Sequence, residues 1–440
     1  MIELRHIDVA LPHGSSEAST ILEQVSVRIA DGEWIVLAGA NGSGKTTLLK
    51  VIAGLVPIAS GELDMTAAER NGLSLLLQEP DNQFVTSSVR GELLLSLPMA
   101  VEEPVVTSRL STAVDMFGLD RFLDRNPHDL SGGEKQRLAL ATVWLSDPRV
   151  LLLDEPTAYL DSVERDRVVR FVDGLNQQGV AVVWATPSDE DVPGRHRVVV
   201  LDGGRVVFDG YDAPTTNEVE LPKTAPRQSP LGEHSVVRLD SVGFAYPAQR
   251  VFSDFSLDVI DGECLAIAGR NGSGKSTLLG LLSGILKPTS GHAEYRYPKA
   301  VTNGRQHLFY LFQNPERLFF AETVLDEIAF GLKTLSVQKS EIEERVHQAL
   351  DDVGLPPDDF AGRLPFSLSP GEMRRLAFAI ALAIDPQCLF MDEPGSCLDK
   401  EGRRLLFDVI DRFRNRGRTV VFASHNIEVF SPLADRIIEL

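Results

Sequence analysis

The chain has no apolar stretch approaching the roughly 20 residues that a membrane-spanning helix needs. Its opening run, Met1-Ile-Glu-Leu-Arg-His6, has no signal-peptide character. Both absences lead to the expectation of a cytoplasmic protein that reaches the inner face of a membrane only through protein partners. Basic charge is also scarce: 43 Lys and Arg stand against 63 Asp and Glu, a formal net charge of −20. That balance opposes direct binding to nucleic acid and to an anionic membrane surface. Cysteine is scarcer still. Cys264, Cys388 and Cys397 are the only three, all in the second half and at no metal-ligand spacing, so they read as buried reduced thiols. What is plentiful is apolar matter: 43% of the 440 residues are hydrophobic, enough for two domains of ordinary size with packed cores.

A phosphate-binding signature occurs twice. Gly39-Ala-Asn41-Gly42-Ser-Gly44-Lys45-Thr46-Thr47 recurs as Gly269-Arg-Asn271-Gly272-Ser-Gly274-Lys275-Ser276-Thr277. Backbone N–H groups can wrap phosphate oxygens only where no Cβ blocks the approach, which explains the glycines; the lysine reaches the β- and γ-phosphates, and the Thr or Ser hydroxyl ligates Mg²⁺. Each copy follows an apolar run, Trp34-Ile-Val-Leu-Ala38 and Cys264-Leu-Ala-Ile-Ala268. The repeat spans whole domains, since Leu4 to Pro12 matches Leu239 to Pro247 and Asp31-Gly-Glu33 matches Asp261-Gly-Glu263. The expected layout is a first domain over 1–210, a proline-rich linker over 211–235 and a second domain over 236–440. The linker reaches roughly 80 Å when fully extended, which permits the halves to face each other at high effective concentration. Leu440 aligns with Leu201, so a terminal hairpin that follows Leu201 in the first copy is expected to be missing from the second.

Within each half, short β-branched runs alternate with helical patterns, the signature of an α/β fold with a mainly parallel sheet covered on both faces. A helical subdomain is expected between the glutamine near the sheet and a serine-glycine motif; in the second copy Ser340-x-x-Glu343 reads as a capping box, with Ile342, Val346, Leu350 and Val353 on one stripe. Val150-Leu-Leu-Leu-Asp154-Glu155 and Cys388-Leu-Phe-Met-Asp392-Glu393 read as buried strands ending in two adjacent acids. Strand alternation would point the two carboxylates in different directions, the Asp towards Mg²⁺ and the Glu towards the water that attacks the γ-phosphate. Acids at strand ends are often plain solvated caps, and it is their place after a phosphate-binding turn that raises them. Leu130-Ser131-Gly132-Gly133-Glu134 opens an apolar helix and presents a hydroxyl, free amides and a positive dipole end to an anion.

With that motif the chain resembles the ATP-binding cassette ATPases over nearly its whole length: two P-loop NTPase domains, each with a helical subdomain. The resemblance implies ATP and Mg²⁺ as ligands, ATP hydrolysis, and a head-to-tail intramolecular dimer in which each nucleotide lies between the P-loop of one cassette and the serine-glycine motif of the other. It implies Glu155 and Glu393 as catalytic carboxylates, His425 as the switch histidine, and Asp161 and Asp399 in the loop that crosses the dimer interface. Gln78 and Gln313 become the glutamines that sense Mg²⁺ and a transport partner, joining Thr46, Asp154, Ser276 and Asp392 around the metal. The surroundings of Gln78 and Gln313, and Gly371-Glu-Met-Arg-Arg375, are similar to those in the paired ATPases of energy-coupling factor importers, which take up vitamins and transition-metal ions. That resemblance implies two membrane partners, a T-like coupling component and a substrate-binding component. A sugar importer's tandem ATPase is the nearest rival. A soluble ribosome-acting tandem ATPase would carry a long charged helical linker, and a chromosome or repair ATPase a long coiled coil.

The copies differ at three places. His425 falls opposite Pro187, which offers no N–H; Tyr246, matching the aromatic that stacks on adenine, falls opposite Leu11; and Leu368-Ser369-Pro370-Gly371 replaces Ser-Gly-Gly. Proline suits the first turn of a helix and Gly371 keeps its amide, so the third change is mild. In a head-to-tail pair all three collect in one composite site: Lys45, Thr46, Gln78, Asp154 and Glu155 with Ser369 and Gly371. The other site, Tyr246, Lys275, Ser276, Gln313, Asp392, Glu393 and His425 with Ser131, Gly132 and Gly133, is complete and is expected to be the main engine. Equal turnover at both sites is the alternative.

Overall fold

The computed structural model describes all residues except 14–15, 79, 99–102, 131, 158–159, 161, 188–195, 212–231, 233, 248, 297–307, 396–397 and 425–429. Most of the expected linker, together with Ser131, Asp161, Cys397 and His425, lies outside the described residues. The chain divides into two compact units, Met1–Glu218 and Val219–Leu440.

In the first unit the strands are β1 (Ile2–His13), β2 (Ser16–Ile29), β3 (Trp34–Ala38), β4 (Ser60–Asp64), β5 (Leu73–Leu76), β6 (Val150–Asp154), β7 (Ala181–Thr186), β8 (Arg197–Asp202) and β9 (Arg205–Gly210). A six-stranded sheet runs β5-β6-β7-β3-β8-β9, parallel throughout except that β9 returns antiparallel on β8; β2-β1-β4 form a separate antiparallel sheet. The helices are α1 (Lys45–Ile52), α2 (Ala67–Asn71), α3 (Val89–Leu95), α4 (Glu103–Phe117), α5 (Gly132–Leu145) and α6 (Ser162–Gln177).

Every residue of β3, β6 and β7 is buried, as expected of central parallel strands covered on both faces. Alternation along β3 splits its side chains between two cores. Ile35 and Leu37 join Leu48, Leu49 and the antiparallel sheet, whereas Trp34 and Val36 join Val89, Leu138 and Val172 from the helices on the other face.

The second unit repeats this with β10 (Ser235–Tyr246), β11 (Gln249–Ile260), β12 (Cys264–Ala268), β13 (Ser290–Tyr295), β14 (Leu308–Leu311), β15 (Cys388–Asp392), β16 (Thr419–Ser424) and β17 (Arg436–Glu439). Its sheets run β14-β15-β16-β12-β17, all parallel, and β11-β10-β13, antiparallel. Its helices are α7 (Lys275–Leu282), α8 (Val324–Thr334), α9 (Lys339–Asp352), α10 (Pro357–Phe360), α11 (Pro370–Ile384) and α12 (Lys400–Asn415). Among the described residues no helix is long and apolar enough to cross a membrane.

The stripe Ile342, Val346, Leu350 and Val353 is buried against the same core as α11. The capping box expected at Ser340 and Glu343 does not form. Ser336 leaves α8 in the left-handed region (φ 59), so α9 begins as early as Lys339, and its N-cap Gln338 makes no side-chain bond. Capping boxes form instead at Thr66 with Glu69 and at Ser369 with Glu372, each ahead of a helix whose first N–H groups lack partners.

Cys264 and Cys388 are buried and form no disulfide among the described residues. Loss of solvation pushes the Cys388 thiol up to about 12, with the Thr419 hydroxyl opposing the shift. At pH 8 roughly one Cys388 in ten thousand would then be a thiolate. Treating the native protein with an aromatic disulfide reagent at pH 8 should leave Cys388 unmodified for hours, and denaturation should expose it within minutes. Rapid native labelling of Cys388, located by peptide mapping, would show that its strand is not closed.

Candidate functional site

In each unit the site grows from the C-terminal ends of parallel strands, where open α/β sheets bind ligands. The turn between β3 and α1 has Gly39 at φ 153, Gly42 at φ 81 and Gly44 at φ 102; between β12 and α7, Gly269, Gly272 and Gly274 have φ 151, 79 and 105. These values favour glycine. At Gly39 a Cβ would also meet the Leu201 carbonyl, and at Gly269 it would stand 2.9 Å from the Leu440 carbonyl oxygen. Asn41 and Asn271 sit half-buried beside exposed Gly42 and Gly272 at the tips of the turns.

The turn folds each lysine inward. Lys45 Nζ donates to the carbonyls of Gly39 at 2.7 Å and Ala40 at 3.0 Å, and Lys275 Nζ to those of Gly269 at 2.9 Å and Arg270 at 3.1 Å. Both lysines are buried. In the second unit Lys275 also forms an ion pair of 3.3 Å with Glu393.

The carboxylates follow at the neighbouring strand ends. Thr46 Oγ1 donates to Asp154 Oδ1 at 3.1 Å. Burial pushes the Asp154 carboxyl upward, opposed by the Thr46 hydroxyl and by Lys45. Asp392 is likewise pushed up, first by burial, with the Ser276 hydroxyl opposing and Glu393 adding to the shift. The glutamates depart from the expected strand alternation. β6 and β15 end at Asp154 and Asp392, and Glu155 and Glu393 adopt left-handed backbone at φ 46 and φ 45. A left-handed turn, not the pleat, therefore separates the two acids. Such a conformation costs a non-glycine residue about 1–3 kcal/mol, and here the glutamate amides are held by Ala185 O and Ala423 O, each at 3.0 Å.

The two glutamines lie just beyond β5 and β14. Gln78 Nε2 donates to Glu155 Oε2 at 3.0 Å, so loop and acid are in contact; the Gln313 carbonyl accepts from Arg374 Nη2 at 2.7 Å. Tyr246 is partly exposed, packs edge-on against Phe244 (centroids 5.1 Å apart) and lies with its hydroxyl 3.3 Å from Thr277 Oγ1. Tyr246 thus stands beside the helix that follows the glycine turn. Thr47 is half-buried in the corresponding helix of the first unit, and Leu11 lies on β1 opposite Ser19 in backbone register.

Gly132 and Gly133 open α5, and Ser369 caps α11: its N–H donates to Glu372 Oε2 at 2.7 Å and its Oγ accepts from Glu372 N at 3.4 Å. Pro370 occupies the first helical position, where a missing N–H is no loss, and Gly371 follows half-buried. Asp399 is buried and caps α12 through Gly402 N at 2.8 Å. Pro187 is half-buried at the end of β7.

The residues fit a nucleotide with its metal. Buried lysines turned onto carbonyls are ready for an anion, and carboxyls raised by burial are the groups that a divalent cation would favour as carboxylates. Among the described residues no cluster of three His, Cys, Asp or Glu could hold a metal alone. Mg²⁺ is a hard cation held through one or two protein oxygens and shared with phosphates, and Thr46 beside Asp154 offers such a pair. Sequence reasoning read Arg374 only as part of the run Gly371-Glu-Met-Arg-Arg375, with no role of its own, and passed over Tyr310. Arg374's own role could have been found where the repeat sets it against Gln136; nothing in the sequence marks Tyr310, whose phenol is pushed up by burial and by the Asp392 carboxylate.

A family model described as "ABC transporter" matches residues 22–158 and 252–396. The "Putative ABC transporter ATP-binding protein BL0043" of Bifidobacterium longum is 28% identical over 99% of the chain, which spans 64% of that relative's length. The "Putative HMP/thiamine import ATP-binding protein YkoD" of Bacillus subtilis is 28% identical over 96% of the chain and 85% of its own length. Among solved structures, one titled "RNase-L Inhibitor" aligns with a TM-score of 0.67 at 21% identity, covering 99% of this chain and 87% of its own. An archaeal ribosome recycling factor, solved with a ribosomal stalk protein, aligns at 0.65 and 22%, covering 95% and 84%. Those two likenesses show the α/β fold of paired P-loop cassettes. With the family model matched in both halves, over the glycine turns and the acidic strand ends alike, the chain belongs to the ABC transporter family and carries two of its ATPase cassettes.

Proposed function

We propose that this chain is the ATP-hydrolysing subunit of an energy-coupling factor importer for a vitamin or a transition-metal ion, peripheral on the cytoplasmic face of the membrane. The observation that carries the ATPase part is the buried Lys275–Glu393 pair at 3.3 Å beneath a glycine turn. An arriving phosphate chain would take the lysine and release the carboxylate for its work on water. The side chains of Thr46, Gln78 and Asp154, and of Ser276, Gln313 and Asp392, would hold Mg²⁺. That ion, when bound, neutralises charge on the phosphates. Glu155 and Glu393 orient and deprotonate the attacking water, with His425 as a further γ-phosphate contact in the second cassette. Closure of the cassettes head to tail would bring Ser131, Gly132 and Gly133 to one nucleotide and Ser369 and Gly371 to the other.

The importer part is supported by the relative named for HMP/thiamine import and by an apolar surface beside the glutamine loop of the second unit. Phe320, Phe330, Leu364 and Phe366 there are each more than half exposed, with the Phe320 and Phe330 rings 4.7 Å apart. Contiguous exposed aromatics of this kind mark a protein interface. Helices of a T-like coupling component are the occupant that the family resemblance supplies, with a substrate-binding membrane component as the third partner. The likeness to ribosome factors carries the fold alone, and the net charge of −20 opposes an RNA surface. Affinity capture of the tagged chain from detergent-solubilised membranes should therefore bring down integral membrane proteins. Co-sedimentation with ribosomes, and none with membrane proteins, would refute the importer reading.

Adenine recognition should be unequal. A ring at Tyr246 contributes about 1–3 kcal/mol by analogy with base–aromatic stacking, so Tyr246→Ala should weaken ATP binding at one site roughly 5- to 150-fold, whereas Leu11→Ala should matter little. Equilibrium binding of a fluorescent ATP analogue, with the two sites resolved by titration, measures both; equal losses would contradict the assignment.

Hydrolysis should be unequal as well, because the departures at Pro187 and Leu11 fall in one composite site. Glu393→Gln should remove most steady-state turnover of the complete transporter while nucleotide occupancy persists. Glu155→Gln should keep a substantial fraction. If both variants are equally inactive, single-turnover phosphate release decides between obligatory coupling, which still permits an unequal first turnover, and equivalent sites, which do not.

A further inference from the structure

Arg374 lies within the first turns of α11 and is 4% exposed. A guanidinium keeps its charge and carries five N–H donors, so its burial requires acceptors. Two of them are main-chain carbonyls: Nη2 donates to Gln313 O at 2.7 Å, and Nη1 to Glu393 O at 3.4 Å. These carbonyls lie just past the ends of β14 and β15, adjacent parallel strands in register from Leu308 opposite Cys388 to Leu311 opposite Met391. One side chain thus ties the start of the glutamine loop to the residue that holds the left-handed turn. In the first unit the matching helix position is Gln136. Its side chain makes one hydrogen bond among the described residues, to Pro156 O at 2.7 Å, and there loop and acid meet through side chains, Gln78 Nε2 to Glu155 Oε2 at 3.0 Å.

We propose that Arg374 is a positioning residue for hydrolysis in the second cassette, coupling the main chain of the glutamine loop to that of Glu393 so that the aim of the carboxylate follows the state of the loop. The inference rests on the reading of Glu393 as the group that activates water. A planar fork fixes the relation between two carbonyls in a way that a shorter neutral amide, or the point charge of a lysine, does not. Glu393 is where such support counts, because a strained left-handed residue persists only when its surroundings over-determine it. In the first cassette Gln136 bonds to Pro156 O, one residue past Glu155, and the loop meets the glutamate through the Gln78–Glu155 side-chain contact, for which any ligand of Gln78 would compete. The two cassettes would therefore answer differently to a partner that moves the glutamine loops.

The test uses the intact membrane complex captured through this chain, with steady-state ATP hydrolysis and thermal unfolding measured on the wild type, Arg374→Gln, Arg374→Lys and Glu393→Gln. Arg374→Gln, which copies the first cassette, should lower kcat about tenfold or more while KM for ATP stays within about twofold and the unfolding midpoint stays well above the assay temperature, a split expected when a reacting group is misplaced by about 1 Å. Arg374→Lys should fall between it and the wild type, and carries the same test should Arg374→Gln not fold. A wild-type kcat in Arg374→Gln alongside an inactive Glu393→Gln overturns the role of Arg374 alone. A loss of rate matched by loss of ATP affinity and of thermal stability reduces Arg374 to a structural residue and also overturns it. Full activity in Glu393→Gln would instead remove the reading on which the inference rests.

Discussion

Each cassette is organised around a lysine ammonium that is kept out of water. Lys45 and Lys275 are buried and satisfied by the carbonyls of the same glycine turn that exposes its amides. Only a turn with three positive-φ glycines lets the chain fold back so tightly that a lysine at the start of a helix reaches the carbonyls five and six residues before it. That geometry requires a strand directly before the turn, a helix directly after it, and close backbone approach from the last parallel strand, where Leu201 and Leu440 lie against the first glycine of each turn. The parallel sheet and its two apolar cores hold those elements in register. A buried cation is also costly without an anion, and in the second unit Glu393 stands beside Lys275 at 3.3 Å.

The same burial shapes the carboxylates. Asp154 and Asp392 end fully buried strands, so lost solvation pushes both carboxyls up, and the hydroxyls of Thr46 and Ser276 partly restore the charged form. One residue further on, the backbone enters the left-handed region, which directs the glutamate away from the aspartate over a single residue. The strain sits beside the candidate chemistry and is held by a hydrogen bond from the glutamate amide to the neighbouring strand.

The two units differ less in fold than in what surrounds these shared parts. The aromatic Tyr246 stands beside the turn helix of the second unit, and Arg374 joins that unit's glutamine loop to its glutamate through main-chain carbonyls. The first unit has Gln136 at the corresponding position and a direct Gln78–Glu155 contact. These are differences in the reach and charge of single side chains on a repeated frame, and they allow the two copies to diverge in catalysis while both keep the strand order that supports the turn.

Much was legible in the sequence because the decisive features are local. A glycine spacing encodes a turn, four apolar residues followed by Asp-Glu encode a buried strand and its acidic end, and the order of motifs within a repeat encodes the fold and the family. The stripe from Ile342 to Val353 was readable for the same reason. What the sequence left open depends on approach from elsewhere in the chain. The start of α9 is set by the left-handed exit of α8 at Ser336 and not by the Ser340–Glu343 spacing. The divergence of Asp and Glu comes from a positive φ that strand alternation does not foresee. The partners of Arg374 and Tyr310 are 61 residues away at Gln313 and far along the chain at Asp392, and they meet only because β14 and β15 are neighbours in a parallel sheet. A residue's type and spacing determine which contacts it is able to make; which of them it makes is decided by the strand order that brings distant carbonyls and carboxylates to one edge of the sheet.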